Sequence, residues 1–234
     1  MYYIGVDLGG TNIATGVLDK NGKIIAQCSA KSLGDRAPEE ITESIADTIK
    51  HAMVEAHISE SDVEGIGVGV PGCFDNEKGE IILTNNMNLS HFAFAKELQK
   101  YINKPVYMGN DANCAVLGEM IAGGAKGYKD VIMLTIGTGV GGGFVSNGKV
   151  YGGVNGAAME VGHMVIEADG LECNCGRRGC WELYASATAL VRYTKEYMDK
   201  YKDSLMHKIA DENGGKINGI TSFKAAKMGD EAAN

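Results

Sequence analysis

The chain has 234 residues, enough to bury a core in one large domain or two small ones. Hydrophobic residues make up 44% and charged residues 22%, an ordinary soluble composition. The formal net charge of −8 argues against a nucleic-acid partner, which needs a surplus of Lys and Arg, and no apolar run approaches the ~20 residues of a membrane span. Met1-Tyr2-Tyr3-Ile4 leads straight into a strand pattern without a secretory leader, so the expected location is the cytoplasm.

In chain order, the pattern predicts strands over Tyr2 to Asp7, Ile13 to Leu18 and Lys23 to Ala30, with an Asn21-Gly22 turn between the last two. Ile41, Ile45, Ile49 and Met53 recur at four-residue spacing and predict an amphipathic helix from Pro38 to about His57. Val63 to Val70 reads as a strand stopped by Pro71-Gly72, Phe92 to Tyr101 as a helix, Val106 to Met108 as a short strand and Asp111 to about Ile121 as a helix. The pattern then starts again, with a strand at Val131 to Ile136, a glycine turn at Gly137 to Gly143 and a strand at Phe144 to Val150. Cys180 to Tyr201 and the segment from Leu205 onward read as helical, and the last residues look like the opening of a helix. This repeat of strand, glycine turn and strand predicts an α/β protein of two domains, 1–109 and 110–234, with a cleft between them.

Each copy carries a glycine loop. In Asp7-Leu8-Gly9-Gly10-Thr11-Asn12 a strand ends in a carboxylate and the turn offers paired glycines and a hydroxyl. Such a turn brings backbone N–H groups close to an anion, and Asp7 suits Mg²⁺, which takes oxygen ligands. Thr135-Ile136-Gly137-Thr138-Gly139-Val140-Gly141-Gly142-Gly143 offers the same chemistry from the other copy. Neither loop fits the G-x-x-x-x-G-K-[ST] pattern, and the first does not open a helix as a dinucleotide fingerprint does. A plain hairpin is the alternative for either loop alone; two matching loops favour phosphate binding.

Together the loops resemble the two phosphate segments of the actin-like (ribonuclease H-like) sugar kinase fold, in the version of the ROK family and, within it, its glucokinases. The resemblance implies an ATP-binding hexose kinase acting with Mg²⁺, with a place in glycolysis. Asp7, Gly9, Gly10, Thr11 and Asn12 would face the nucleotide and its metal from one side, and Thr138 and Gly139 from the other.

Of the six cysteines, Cys173, Cys175 and Cys180 fall within eight residues. In a cytosolic chain such a cluster reads as metal-binding or redox before it reads as disulfide. With His163 they form H-x9-C-x-C-x4-C, and three thiolates with one imidazole complete the tetrahedral shell of a structural Zn²⁺. The stretch from Glu160-Val161-Gly162-His163 through Cys180-Trp181-Glu182 also resembles the ROK zinc signature without a gap. The role expected of the metal is to fix a loop carrying sugar ligands, with the second ring nitrogen of His163 left to face the sugar.

Transfer to a sugar alcohol needs a carboxylate beside the attacking hydroxyl. Asn110-Asp111-Ala112-Asn113 puts one at a strand-to-helix junction, where an N-cap Asp is the plainer explanation. The segment resembles the ROK catalytic one, which makes Asp111 the general base and Asn110 a sugar ligand. Gly69-Val70-Pro71-Gly72 resembles the family's sugar-side turn, with Gly72 at the substrate, and Asn88-Leu89 its asparagine–leucine pair. Here the chain departs from the family: Ser90-His91-Phe92 follows where an aromatic usually comes first, and Asn86 competes with Asn88. Glu160, His163 and Glu182 match positions that grip the sugar hydroxyls, although Glu182 alone would pass for a solvated helix charge. Cys73 and Cys114 flank these motifs and read as small buried residues.

The resemblance also implies that the C-terminal part of the family fold, with its adenosine contacts, is missing, and that apolar surface left at the cut favours association. A homo-oligomer, dimer or tetramer, is expected. A kinase for N-acetylmannosamine, N-acetylglucosamine or fructose stays open, as does a sugar-binding fragment without turnover. A repressor is disfavoured, since Asp7 lies seven residues from the start.

Overall fold

A computed structural model of the chain describes residues 1–84, 87–153 and 158–234. It has two compact units, Met1–Met133 with Gly143–Ala158, and Leu134–Gly142 with Met159–Asn234.

The first unit begins with three strands, β1 (Tyr2–Leu8), β2 (Asn12–Asp19) and β3 (Ile24–Lys31), paired antiparallel. Ile4, Val6 and Leu8 alternate inward on β1, and Ile13, Thr15 and Val17 do so on β2. Helix α1 (Pro38–Glu55) lies over β2 and β3. Its predicted stripe of Ile41, Ile45, Ile49 and Met53 is buried throughout. Pro38 opens the helix and the Glu40 carboxylate accepts the Ala37 N–H at 3.1 Å, which satisfies one orphan donor. The one polar pair in this stretch of core, Thr15 Oγ1 and Thr48 Oγ1, is satisfied at 2.7 Å, and Thr48 also donates to the Ile45 carbonyl.

β4 (Val63–Val70) runs parallel to β1 and reads as a nearly continuous apolar run because it is central. A hairpin follows, β5 (Cys73–Asp75) and β6 (Glu80–Leu83), which the sequence pattern did not predict. α2 spans only Phe94–Leu98, shorter than expected, with Phe94 and Leu98 buried against the core. β7 (Val106–Asn110) closes the sheet and α3 (Asp111–Ala122) starts at its end, giving the order β3-β2-β1-β4-β7.

β8 (Val131–Ile136), β9 (Val140–Ser146) and β10 (Lys149–Val150) form a three-stranded sheet of order β10-β9-β8. β9 begins four residues before the predicted strand, because the glycines from Gly141 to Gly143 take extended backbone rather than a turn. In the second unit the helix expected from Cys180 to Tyr201 is two, α4 (Glu182–Ala185) and α5 (Ala187–Lys200). The break lies at Ser186, whose side chain caps α5 by accepting the Ala189 N–H at 3.1 Å. α6 (Leu205–Glu212) and α7 (Gly219–Lys227) pack around Met198, Met206, Ile209 and Ala225. A short 3-10 turn, Glu231–Ala233, stands where a longer helix was expected to open.

The compact units do not part at Asn110. Helix α3 packs on β4 and β7, and a side chain at Gly143 would collide with the Ala112 carbonyl, so both stay with the first unit. No helix among the described residues is long and apolar enough to cross a membrane.

Candidate active site

Within the first unit, three strand ends assemble two carboxylates. Asp7, next to last in β1, lies in register with Gly69 of β4, and Gly69 lies in register with Gly109 of β7. Asp111 is the first residue of α3, one step past the end of β7. A methyl group built on Gly69 would stand 3.6 Å from the Asp111 Cα, so a longer side chain there would fill the space beside Asp111. Burial pushes the Asp7 carboxyl above its usual range, and the charge of Asp111 adds to the rise. The Cys114 thiol is raised by burial first and then by both carboxylates, so all three groups share one acidic neighbourhood. Cys73 and Cys114 were expected to be buried; both retain exposed surface, because they lie at strand and helix ends outside the packed core.

The helix cap is Asn110 rather than Asp111. The Asn110 Oδ1 accepts the Asn113 N–H at 3.0 Å, while Asp111 Oδ1 accepts the N–H of Ala112 at 2.8 Å. A cap at Asn110 leaves the Asp111 carboxylate on the first turn, one residue inside the helix.

The first glycine loop is held by its own hairpin. Gly9 N–H donates to the Asn12 carbonyl at 2.9 Å, and Ser32 N–H, just beyond β3, donates to the Thr11 carbonyl at 3.1 Å. Asn12 Oδ1 takes the Lys31 ammonium at 2.8 Å, so this expected nucleotide contact already has a partner across the hairpin. Gly10 and Thr11 are exposed in the turn. Gly72 has φ +144°, and a Cβ on it would run into the Leu83 carbonyl, so glycine is required there for the turn into the β5–β6 hairpin. Asn88 ties its loop to the segment before α1, donating from its backbone N–H to the Gly34 carbonyl at 2.8 Å and from Nδ2 to the Arg36 carbonyl at 3.2 Å. Asn86 lies outside the described residues.

In the second unit, His163, Cys173, Cys175 and Cys180 turn their ligand atoms to one point, all within 4.8 Å of one another. Cys175 Sγ and Cys180 Sγ are 3.6 Å apart, as are Cys173 Sγ and His163 Nδ1. A tetrahedral ion with sulfur at about 2.3 Å has edges near 3.8 Å, so the donor set fits Zn²⁺ in kind, number and spacing. Nδ1 faces the thiols, which leaves Nε2 on the opposite side of the ring. The loop is a clip: Cys173 N–H donates to the Arg177 carbonyl at 2.8 Å, Trp181 N–H to the Met164 carbonyl at 2.8 Å, and Gly176 and Gly179 take positive φ at its corners. A backbone hydrogen bond from Arg177 lowers the Cys175 thiol to about 6, while burial and the neighbouring thiols push Cys180 up to about 12. A cation would displace the proton that Cys180 retains.

The second glycine loop is gripped from outside. Val140 N–H donates to Glu182 Oε2 at 3.0 Å, and a side chain on Gly139 would strike the same oxygen. Thr188 Oγ1 donates to the Thr138 carbonyl at 2.7 Å, and Ala187 N–H to the Gly137 carbonyl at 2.8 Å. Glu160 is exposed and its carbonyl accepts the His163 N–H at 3.1 Å. Sequence reasoning gave no role to Thr188 or Gly162; Thr188 belongs to no spaced motif of reactive residues, and Gly162 drew notice only as the neighbour of His163 in the zinc signature.

A five-stranded sheet of this order, with a glycine loop after its first strand and acidic residues at its strand ends, defines the class: an actin-like fold of the sugar-kinase type. The chain belongs to the ROK family, whose model matches residues 3–234. It is 39% identical to a glucokinase of Thermotoga maritima over 231 residues, covering 98% of this chain and 71% of that one. It is 35% identical to a xylose repressor of Bacillus subtilis, covering 95% of this chain and 58% of that protein. Among solved structures, a ROK family glucokinase from Streptomyces griseus in complex with glucose and AMPPNP superposes with a TM-score of 0.82 at 35% identity, covering all of this chain and 73% of that one.

Proposed function

We propose that the chain is an ATP-dependent hexose kinase that converts glucose to glucose 6-phosphate. The observation that carries this is the pair Asp7 and Asp111, at the ends of the two strands that flank β4, with an exposed glycine turn just after Asp7. The glucokinases of T. maritima and S. griseus, similar over nearly the whole chain, support the choice of substrate.

Asp111 takes the proton of the attacking sugar hydroxyl as its oxygen bonds to the γ-phosphorus of ATP and the bond to the β-phosphate oxygen breaks, releasing ADP. Asp7 is raised in pKa by burial and by its neighbour's charge, so the cation of Mg-ATP relieves a repulsion already built into the site. Gly9, Gly10 and Thr11 offer backbone N–H groups and a hydroxyl to the phosphates, with Asn12 behind them; Thr138 and Gly139 do the same from the second loop. Gly72, Asn88, Asn110, Glu160, His163 and Glu182 are assigned to the sugar. Zn²⁺ on His163, Cys173, Cys175 and Cys180 supplies a structural crosslink and no chemistry. A cytoplasmic location suits the cluster, since a reducing compartment keeps its three sulfurs available to the metal. The exposed row of Ile132, Leu134 and Ile136 on β8 supports an oligomer.

The test is phosphorylation of glucose by the chain with Mg-ATP, read by coupled detection of glucose 6-phosphate, beside a panel of N-acetylmannosamine, N-acetylglucosamine and fructose. Turnover with glucose as preferred acceptor is expected. A faster rate with another hexose moves the substrate and keeps the kinase. Sugar binding without turnover on any member favours the second reading, a sugar-binding module, which the likeness to the xylose repressor supports.

A further inference from the structure

The sequence ties the metal cluster to the sugar ligands on either side of it, yet the hydrogen bonds of the second unit lead to a different place. The peptide groups of Val140 and Thr138, in the second glycine loop, are gripped by residues that flank the cluster. Gly162, adjacent to the ligand His163, lies so close to the Val140 carbonyl that a Cβ would collide with its oxygen. Glu182, two residues beyond the ligand Cys180, accepts the Val140 N–H through Oε2 at 3.0 Å. Val140 is therefore bounded on its carbonyl by the neighbour of one ligand and bonded on its N–H by a near neighbour of another, so the two successive peptides on either side of it are held. One turn further, Thr188 Oγ1 holds the Thr138 carbonyl at 2.7 Å, and the Ala187 N–H holds that of Gly137 at 2.8 Å.

The physical consequence lies in the direction of the N–H groups. A glycine-rich loop has little barrier to turning its peptides, and one that turns presents carbonyls to an incoming anion instead of N–H groups. Bonds that hold the carbonyls of Gly137 and Thr138 on the side of α5 fix the two peptides that follow, and so aim the N–H groups of Thr138 and Gly139. We propose that Gly162, Glu182 and Thr188 are positioning residues for the second phosphate loop, so that the four-ligand cluster governs uptake of the nucleotide as well as of the sugar. The proposal deepens the kinase function and rests on it for the identity of the anion.

The test uses the full chain as wild type, Thr188→Val and Thr188→Ser, with metal content measured in each. Thr188 is neither a ligand nor in the core, so both variants should fold and keep the metal. Amide hydrogen exchange over residues 137–142 is followed without nucleotide, and affinity for Mg-AMPPNP and for glucose is measured by calorimetry. Loss of one hydrogen bond should speed exchange and weaken Mg-AMPPNP by about three- to tenfold in the valine variant, with glucose affinity unchanged and the serine variant restored. Chelation of the metal should speed exchange over the same residues further. Exchange and Mg-AMPPNP affinity equal to wild type in Thr188→Val overturn the proposal, as does loop exchange indifferent to chelation. If the wild type binds no Mg-AMPPNP, the kinase function fails separately, while faster exchange in the valine variant still upholds the brace.

Discussion

The two glycine loops look alike in sequence and are held in opposite ways. The first is secured within its own β1–β2–β3 meander: Gly9 bonds to Asn12, Thr11 to Ser32, and Asn12 to Lys31. The second is secured from 42 to 50 residues away by Glu182, Ala187 and Thr188, which follow the cysteine clip. A local hairpin forms its turn wherever its strands pair, whereas a loop held from afar depends on a segment with little core of its own. The difference separates the proposed chemistry from the proposed scaffolding: the acidic pair belongs to the self-supporting unit and the four-ligand cluster to the other.

Substitutions should therefore act differently in the two units. The largest effect belongs to Asp111→Asn, expected to cut turnover by about 10²- to 10⁴-fold while sugar affinity and melting temperature hold. Steady-state kinetics decide it, and a variant keeping more than about a tenth of the wild-type rate removes Asp111 as the base. Next is Cys180→Ser. It should release the metal and lower amide protection over 160–182 by about a hundredfold or more, leaving 7–12 as protected as before. Equal loss in both segments would show that the first loop is not self-supporting.

Gly72→Ala should destabilise the first unit by roughly 2–4 kcal/mol, because the new Cβ meets the Leu83 carbonyl at a backbone angle that favours glycine. Denaturant melts measure it. A near-neutral result would mean that the turn into the β5–β6 hairpin yields easily. The smallest effect is that of Asp7→Asn on stability. The Asp7 pKa is raised in the folded chain, so its favourable contribution is complete below the unfolded pKa and is lost as pH rises through the folded one. Near neutral pH the asparagine variant should be equally stable or firmer by less than about 0.5 kcal/mol, since water screens this partly exposed group. The gap should close in acid, and turnover should fall regardless; a variant less stable at neutral pH would contradict the assigned environment.

Much of this was legible from residues alone, for identifiable reasons. The four-residue spacing of Ile41, Ile45, Ile49 and Met53 marks α1 because a helix repeats every 3.6 residues, and all four are buried. His163, Cys173, Cys175 and Cys180 announce a shared point because three thiolates and an imidazole make up a complete tetrahedral shell, and their atoms converge. The β5–β6 hairpin was not legible, since its strands are three and four residues long and carry no alternation that a loop could not also show. Asn110 as the cap was hidden by Asp111, a residue equally suited to capping, until backbone angles placed the helix start.

What the sequence pointed to by itself is the kind of chemistry: carboxylates after strands, glycine loops suited to anions, a thiol cluster suited to a metal, all from residue type and short spacing. Only the tertiary structure decided which elements hold one another. It put Asp7 beside Asp111 by aligning β1, β4 and β7, and Thr188 against Thr138 across 50 residues of chain. Such partnerships depend on packing, which leaves no periodic trace in a single sequence, because hydroxyls and carbonyls that meet over long distances need only arrive together, not recur.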